Sequence, residues 1–210
     1  MNKPKTLLLF SGGFDSTALL HRLLDEGHDV ELVFFHYGQQ GYTEECNRVT
    51  YWQQKYGLPL HFLDVSFHWS RTDMLAGGDG DGYLEMRNLV FLSHALSLAQ
   101  ARGMDNLAIG IISALDMPQH YADCTPEFLG DFKRMMHRAT GIDLVAPYRN
   151  DPKALVAIKV KREYGDHVLR EILDHTISCN YPDEHGTPCG ECGECQSVEE
   201  LHCYLDPLVN

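Results

Sequence analysis

Apolar runs and amphipathic stretches alternate along the chain. Residues 6–10 (Thr-Leu-Leu-Leu-Phe) form a short apolar run that ends in a glycine-containing loop, the pattern of a buried parallel strand. Ala18-Leu19-Leu20 and Leu23-Leu24 then fall at helical spacing, which predicts a helix from about Ser16 to a stop at Gly27. Residues 30–35 read as a second strand. Thr43 with Glu44 and Glu45 opens a helix that reaches Tyr56 and is closed by Gly57 and Pro59. A third strand over 60–65 follows. Leu89, Leu92, Leu96 and Ala99 mark one stripe of a helix over 87–102, ended by Gly103. Residues 107–112 give a fourth strand, and Thr125-Pro126 starts a helix that runs to about Thr140. A fifth strand spans 142–146, and Asp151-Pro152 opens a further helix. Strands separated by helices predict an α/β fold, a doubly wound and mostly parallel five-stranded sheet. The stretch from Ser66 to Glu85 holds Gly77, Gly78, Asp79, Gly80, Asp81 and Gly82, but Tyr83 stands where an EF-hand needs an oxygen ligand. It reads as a surface loop, placed to act as a lid.

Between the first strand and its helix lies Ser11-Gly12-Gly13-Phe14-Asp15-Ser16-Thr17. Strand, small-residue turn and helix aim backbone N–H groups and a helix N-terminus at an anion, and the Ser11 and Ser16 hydroxyls add donors. No lysine follows the glycines, which excludes a Walker A loop, and G-x-G-x-x-G is absent. The stretch resembles the pyrophosphatase loop (PP-loop) of ATP-dependent enzymes that adenylate a substrate; the alternative is an ordinary strand-to-helix turn. In open α/β sheets ligands bind beyond the carboxyl ends of the strands, where this loop lies. Asp116, His120, Tyr121 and Asp123 follow the fourth strand on the same side.

Charge and cysteines narrow the picture. With 17 Lys+Arg against 30 Asp+Glu the formal net charge is −13, which argues against a broad nucleic-acid footprint. No apolar run approaches a membrane span, and the expected compartment is the cytoplasm. Four of the seven cysteines, Cys179, Cys189, Cys192 and Cys195, form C-x9-C-x2-C-x2-C. That spacing suits a closed, structural Zn²⁺ site; an iron–sulfur cluster or unrelated thiols are the alternatives. The domains expected are 1–165, an ATP-binding α/β unit, and 166–210, a helical segment with the zinc knuckle. The twelve histidines show no H-E-x-x-H pattern.

Together these signals resemble the 7-cyano-7-deazaguanine synthase (QueC) family. The resemblance rests on Phe10 through Thr17, Tyr37-Gly38-Gln39, Arg87-Asn88 with Phe91-Leu92, Tyr121-Ala122-Asp123-Cys124 with Phe128, Pro147 with Lys153, and Thr176-Ile177-Ser178-Cys179 before the cysteine knuckle. It implies that ATP adenylates the carboxylate of 7-carboxy-7-deazaguanine, that ammonia gives the amide, and that a second ATP drives formation of the nitrile. ATP, with Mg²⁺, would lie on Phe10, Ser11, Gly12, Gly13, Phe14, Asp15, Ser16 and Thr17, continuing to Ala18, Leu19 and Leu20. Ser11, Asp15, Ser16 and Lys153 would act in catalysis, with helix capping the alternative for Asp15 and a solvated lysine for Lys153. Tyr37, Gly38, Gln39, Arg87, Asn88, Asp116 and Asp123 would contact the deazaguanine, with Arg87 pairing to its carboxylate. A homodimer is implied as well. The chain departs from the family at Gln40-Gly41, where Arg-His is usual, at Glu85-Met86, where Pro-Gly is usual, and at Ala122 and Thr125, where Pro and Arg are usual. The ATP loop and zinc ligands are intact, so the acceptor is what differs in two alternatives. One stops at the amide or transfers the acyl group to another amine, such as one on a protein. The other is a tRNA-modifying PP-loop enzyme.

Overall fold

A computed structural model of the chain describes residues 3–67, 84–112, 121–176, 179, 183 and 187–205. Asp116, His120 and most of the expected lid loop lie outside the described residues. Among the described residues there are five strands, β1 (Lys5–Leu9), β2 (Asp29–His36), β3 (Leu60–Asp64), β4 (Asn106–Ile109) and β5 (Asp143–Val145). They form one sheet in the order β3-β2-β1-β4-β5, and every pairing is parallel. The doubly wound sheet read from the sequence is therefore present.

The sheet is covered on both faces because its strands are apolar on both. In β1, Leu7 and Leu9 join the cluster that holds Val33, Leu92, Ala95 and Phe132, while Leu8 joins the one that holds Phe10, Leu19, Leu32 and Trp52. This is the strand period of two, read out of the uniformly apolar Leu7-Leu8-Leu9. Helices α3 (Arg87–Arg102) and α4 (Pro126–Thr140) supply the first cluster. Helices α1 (Phe14–Asp25), α2 (Tyr42–Tyr56) and α5 (Lys153–Tyr164) supply the second. The later helices α6 (Asp166–Asp174) and α7 (Gly193–His202) add Leu169, Ile172, Leu173 and Leu201 to that same second cluster.

The helix starts show which local signals decide. Thr125 caps α4 as expected, its Oγ1 accepting from Phe128 N at 3.2 Å, with Pro126 next. Helix α5 starts at Lys153, and Asp151 accepts from Lys159 Nζ at 2.6 Å instead of capping. Helix α1 begins at Phe14, two residues earlier than the apolar spacing implies. Gly13 takes the cap position, and the Ser16 and Thr17 hydroxyls donate to its carbonyl at 3.0 and 2.9 Å. Asp15 thus sits in the first turn and is not the cap. Phe14, 1 % exposed, is the apolar anchor that the turn folds onto.

Strand β4 stops at Ile109, short of the expected 112, because of what stands beside Gly110. A Cβ there would lie 2.8 Å from the Asp15 carbonyl carbon and oxygen and from Ser16 N. The end of β4 and the first turn of α1 touch backbone to backbone, and only glycine permits it. Gly110→Ala must push these segments apart. A loss of about 2 kcal/mol is expected from such overpacking, read as a lower urea midpoint. An unchanged midpoint would show that the contact is not tight.

Candidate active site

Strand order reverses direction between β1 and β4, so the loops after these strands diverge and leave a crevice at their carboxyl ends. A cleft of about 290 Å³ lies there, walled by the loop after β1, the end of β2, the first turns of α2 and α3, and the residues after β4. Phe10, Ser11, Gly13, Phe14, Asp15 and Ser16 line it from the predicted phosphate loop. Tyr37, Arg87 and Asn88 line it from the predicted substrate set. The Ser11 hydroxyl is held in the loop, accepting from Gly13 N at 3.3 Å and lying 3.3 Å from Ser16 Oγ.

Other predicted residues stand elsewhere. Ala18, Leu19 and Leu20 are fully buried in the core under α1, and Thr17 is buried with its hydroxyl on Gly13. Gly12 has φ +76°, and a Cβ on it would meet Arg48 Cβ at 3.0 Å and Val49 N at 3.3 Å. Its glycine is required by the fit of the loop against α2. Gly38 is exposed, with φ +83°. Lys153 is half-buried at the first position of α5 and does not line the cleft.

Gln39 and Asp123 sit one layer behind the cleft and hold residues that face it. Gln39 is 5 % exposed. Its Oε1 accepts from Tyr37 N at 2.9 Å, and its Nε2 donates to Phe35 O at 3.0 Å and to Glu45 Oε2 at 2.9 Å. Both amide donors are therefore used within the protein. Asp123, 2 % exposed, accepts from Asn88 N at 2.7 Å through Oδ2. That supplies from a distance the cap that Met86, the residue before α3, lacks. Met86 itself has φ 50°, a left-handed conformation that suits glycine, and it stands where the family resemblance leads one to expect glycine. Asn88 Nδ2 donates to Cys124 Sγ at 3.1 Å, fixing the amide against the 3₁₀ turn Ala122–Cys124.

Three lining residues, Phe91, Cys124 and Glu45, carry no site role in the sequence reading. Phe91 stacks on Phe35 with centroids 4.4 Å apart, and Tyr37 lies 5.3 Å from Phe91 at 55° to it, giving the cleft an aromatic wall. Cys124 lines it as a neutral thiol, because burial, and after it the charge of Asp123, push its pKa to about 11. Glu45 lines it from the first turn of α2. Burial pushes its carboxyl up to about 7, against the opposing pull of the Gln39 hydrogen bond and the Arg87 charge. Arg87 donates to Tyr37 OH at 3.4 Å and lies 5.9 Å over that ring. The cleft thus combines a helix N-terminus, a guanidinium, a carboxyl and an aromatic wall.

The four cysteines converge. Their Sγ atoms all lie within 4.8 Å of one another, with Cys189 and Cys195 at 3.9 Å. Tetrahedral thiolates about 2.3 Å from one ion stand about 3.8 Å apart, so the group fits a single metal. Backbone N–H groups of Cys189, Cys192 and Cys195 donate to the sulfurs of Cys179, Cys189 and Cys192 at 3.2, 3.4 and 3.4 Å. These bonds favour thiolates. Cys179 is buried and also lines the cleft, so the metal group forms part of the cleft wall. A stack of Tyr51 on His175, 3.9 Å between centroids, and a Trp52 Nε1 donation to His175 O at 3.1 Å tie the approach to Cys179 onto α2.

The raised Glu45 pKa carries a stability consequence. Between the ordinary 4.5 and about 7 the native state binds more protons than the unfolded chain, so stability falls as pH rises through that window. Glu45→Gln removes this cost. The variant should gain in urea midpoint over the wild type at pH 8 and show little gain at pH 4.5. Equal differences at the two pH values would contradict the assignment.

The family described as queuosine biosynthesis protein QueC matches residues 5–201. A 7-cyano-7-deazaguanine synthase of Stutzerimonas stutzeri is 31% identical over 214 residues, covering 93% of this chain and 92% of its own. One from Rickettsia bellii is 28% identical over 211 residues, covering 91% and 90%. Among solved structures, the U34-tRNA thiolase NcsA from Methanococcus maripaludis superimposes with a TM-score of 0.53 at 17% identity, covering 98% of this chain and 67% of that one, a likeness of fold. With the match running from β1 to the last residues of α7, this chain belongs to the QueC family.

Proposed function

We propose that the chain is an ATP-dependent synthase that converts 7-carboxy-7-deazaguanine through its amide to 7-cyano-7-deazaguanine. The observation that carries this reading is the joining, in one cleft, of the α1 N-terminus with the Arg87 guanidinium and the aromatic wall of Phe35, Tyr37 and Phe91. A triphosphate needs the first, a carboxylate the second and a planar heterocycle the third. The names of the family and of its 7-cyano-7-deazaguanine synthase members support it.

The chemistry divides among the residues as follows. The backbone N–H groups of the loop 11–17, with the Ser11 and Ser16 hydroxyls, hold the β- and γ-phosphates as the substrate carboxylate attacks the α-phosphorus. Pyrophosphate leaves and an acyl-adenylate remains. Asp15, in the first turn of α1 and lining the cleft, would hold Mg²⁺, which when bound would neutralise charge on the phosphates. Lys153, at the start of α5 and outside the cleft lining, would add positive charge only from a distance. Arg87 orients the carboxylate, and Tyr37 and Asn88 fix the ring. Ammonia attacks the acyl carbon and AMP leaves. In the second round the amide oxygen is adenylated, and its departure with AMP gives the nitrile. Burial of the cleft floor by Phe10, Phe14 and Ile112 keeps water from the acyl-adenylate. Residues 1–165 form the nucleotide-binding unit, and 166–210 carry Zn²⁺ on Cys179, Cys189, Cys192 and Cys195.

Two measurements test this reading. Purified protein given ATP, 7-carboxy-7-deazaguanine and excess ammonia should yield a product one water lighter than the amide, with AMP and pyrophosphate. Accumulated amide, or deazaguanine mass on a protein amine, would instead indicate an enzyme altered in its acceptor, consistent with Met86 and Ala122 at positions where family members carry glycine and proline. AMP release that ignores the deazaguanine would overturn the reading. Metal analysis should find about one zinc per chain, and Cys192→Ser should lower the yield of folded protein. Iron with visible-light absorbance would contradict the zinc assignment.

A further inference from the structure

Glu45 is a carboxyl in the cleft with no role in the chemistry above. It is half-buried in the first turn of α2, and Gln39 donates to its Oε2 at 2.9 Å. Among the described residues the Gln39 bond to Oε2 is the one hydrogen bond that reaches the carboxyl, although Arg87 is near enough to feel its charge. A carboxylate offers about four acceptor directions, and Gln39 takes one. The remaining directions are open to the cleft, and a ligand carrying two adjacent N–H donors would fill them.

We propose that Glu45 reads the donor edge of the heterocycle, accepting from the ring N–H and the neighbouring exocyclic amino group, and so restricts the cleft to guanine-type rings. The inference rests on the substrate class given under Proposed function and adds what selects it. Arg87, Phe35, Tyr37, Phe91 and Glu45 all line the one cleft, so a single planar ring held there can meet a cation, an aromatic face and an acceptor. Gln39 fixes Glu45 by donating to Oε2, which leaves Oε1 for the ligand. Gln39 is itself fixed by Tyr37 N and Phe35 O.

Glu45→Gln is an informative change because of Gln39. The new amide must turn its oxygen toward Gln39 Nε2, which presents its NH₂ to the cleft and sets donor against donor. Calorimetric titration of the full chain with 7-carboxy-7-deazaguanine and with the same ring lacking the 2-amino group reads the effect. At pH 8, where the carboxyl is ionised, the wild type should bind the amino compound about tenfold more tightly or better, as expected for hydrogen bonds to a charged acceptor. In E45Q the two rings should bind within about twofold of each other, and ATP should bind as in the wild type. Discrimination that survives in E45Q, or a wild type that binds both rings alike, would overturn the role of Glu45 and leave the substrate class standing. A wild type that binds neither ring would overturn the substrate class and this assignment with it.

Discussion

The contact between Gly110 and the backbone of Asp15 and Ser16 is the constraint on which the site depends. It joins the end of β4 to the first turn of α1 at the one point where the sheet order reverses. With that approach made, the α1 N-terminus opens into the crevice between the loops after β1 and β4. On the other side, Gly12 lets the same loop press against Arg48 and Val49 of α2. The loop is therefore clamped between two elements by glycines on which side chains would collide. The phosphate-binding role proposed for this turn requires N–H groups held in a fixed geometry, and the clamp provides that rigidity.

The cleft's charges are arranged by residues that do not face it. Gln39 spends its whole donor capacity on Phe35 O and Glu45, and Asp123 spends an oxygen on the start of α3. Each positions a neighbour: Tyr37 and Glu45 in one case, Arg87 and Asn88 in the other. The left-handed Met86 stands next to Arg87, so α3 begins under local strain that the Asp123 cap offsets. The cysteine group adds a third support, since Cys179 belongs both to the metal group and to the cleft wall.

Much of this was legible in the sequence wherever the signal is local. The strand at 5–9, the loop after it and the C-x9-C-x2-C-x2-C spacing each depend on residues close together in the chain. The strand, read at 6–10, is found one residue earlier, and the cysteines converge as their spacing implies. Helix α1 starts earlier than its apolar spacing implies because a glycine caps it and Phe14 anchors it, which periodicity alone does not register. Gln39 and Asp123 were legible as polar residues near a site, but their partners lie on other elements, so a supporting role looks like a contacting one. Glu45 reads as an ordinary acidic residue in a helix's first turn, and Phe91 as part of the apolar stripe of α3. Only the folding of α2 and α3 onto the same crevice gives either residue a place in the cleft.

The central claim is that this cleft activates a deazaguanine carboxylate by adenylation. The exchange of labelled pyrophosphate into ATP, measured without ammonia, isolates that step from everything after it. Exchange should appear when 7-carboxy-7-deazaguanine is added and should be absent without it. Exchange that needs no carboxylate, or cleavage of ATP to ADP and phosphate, would contradict the claim.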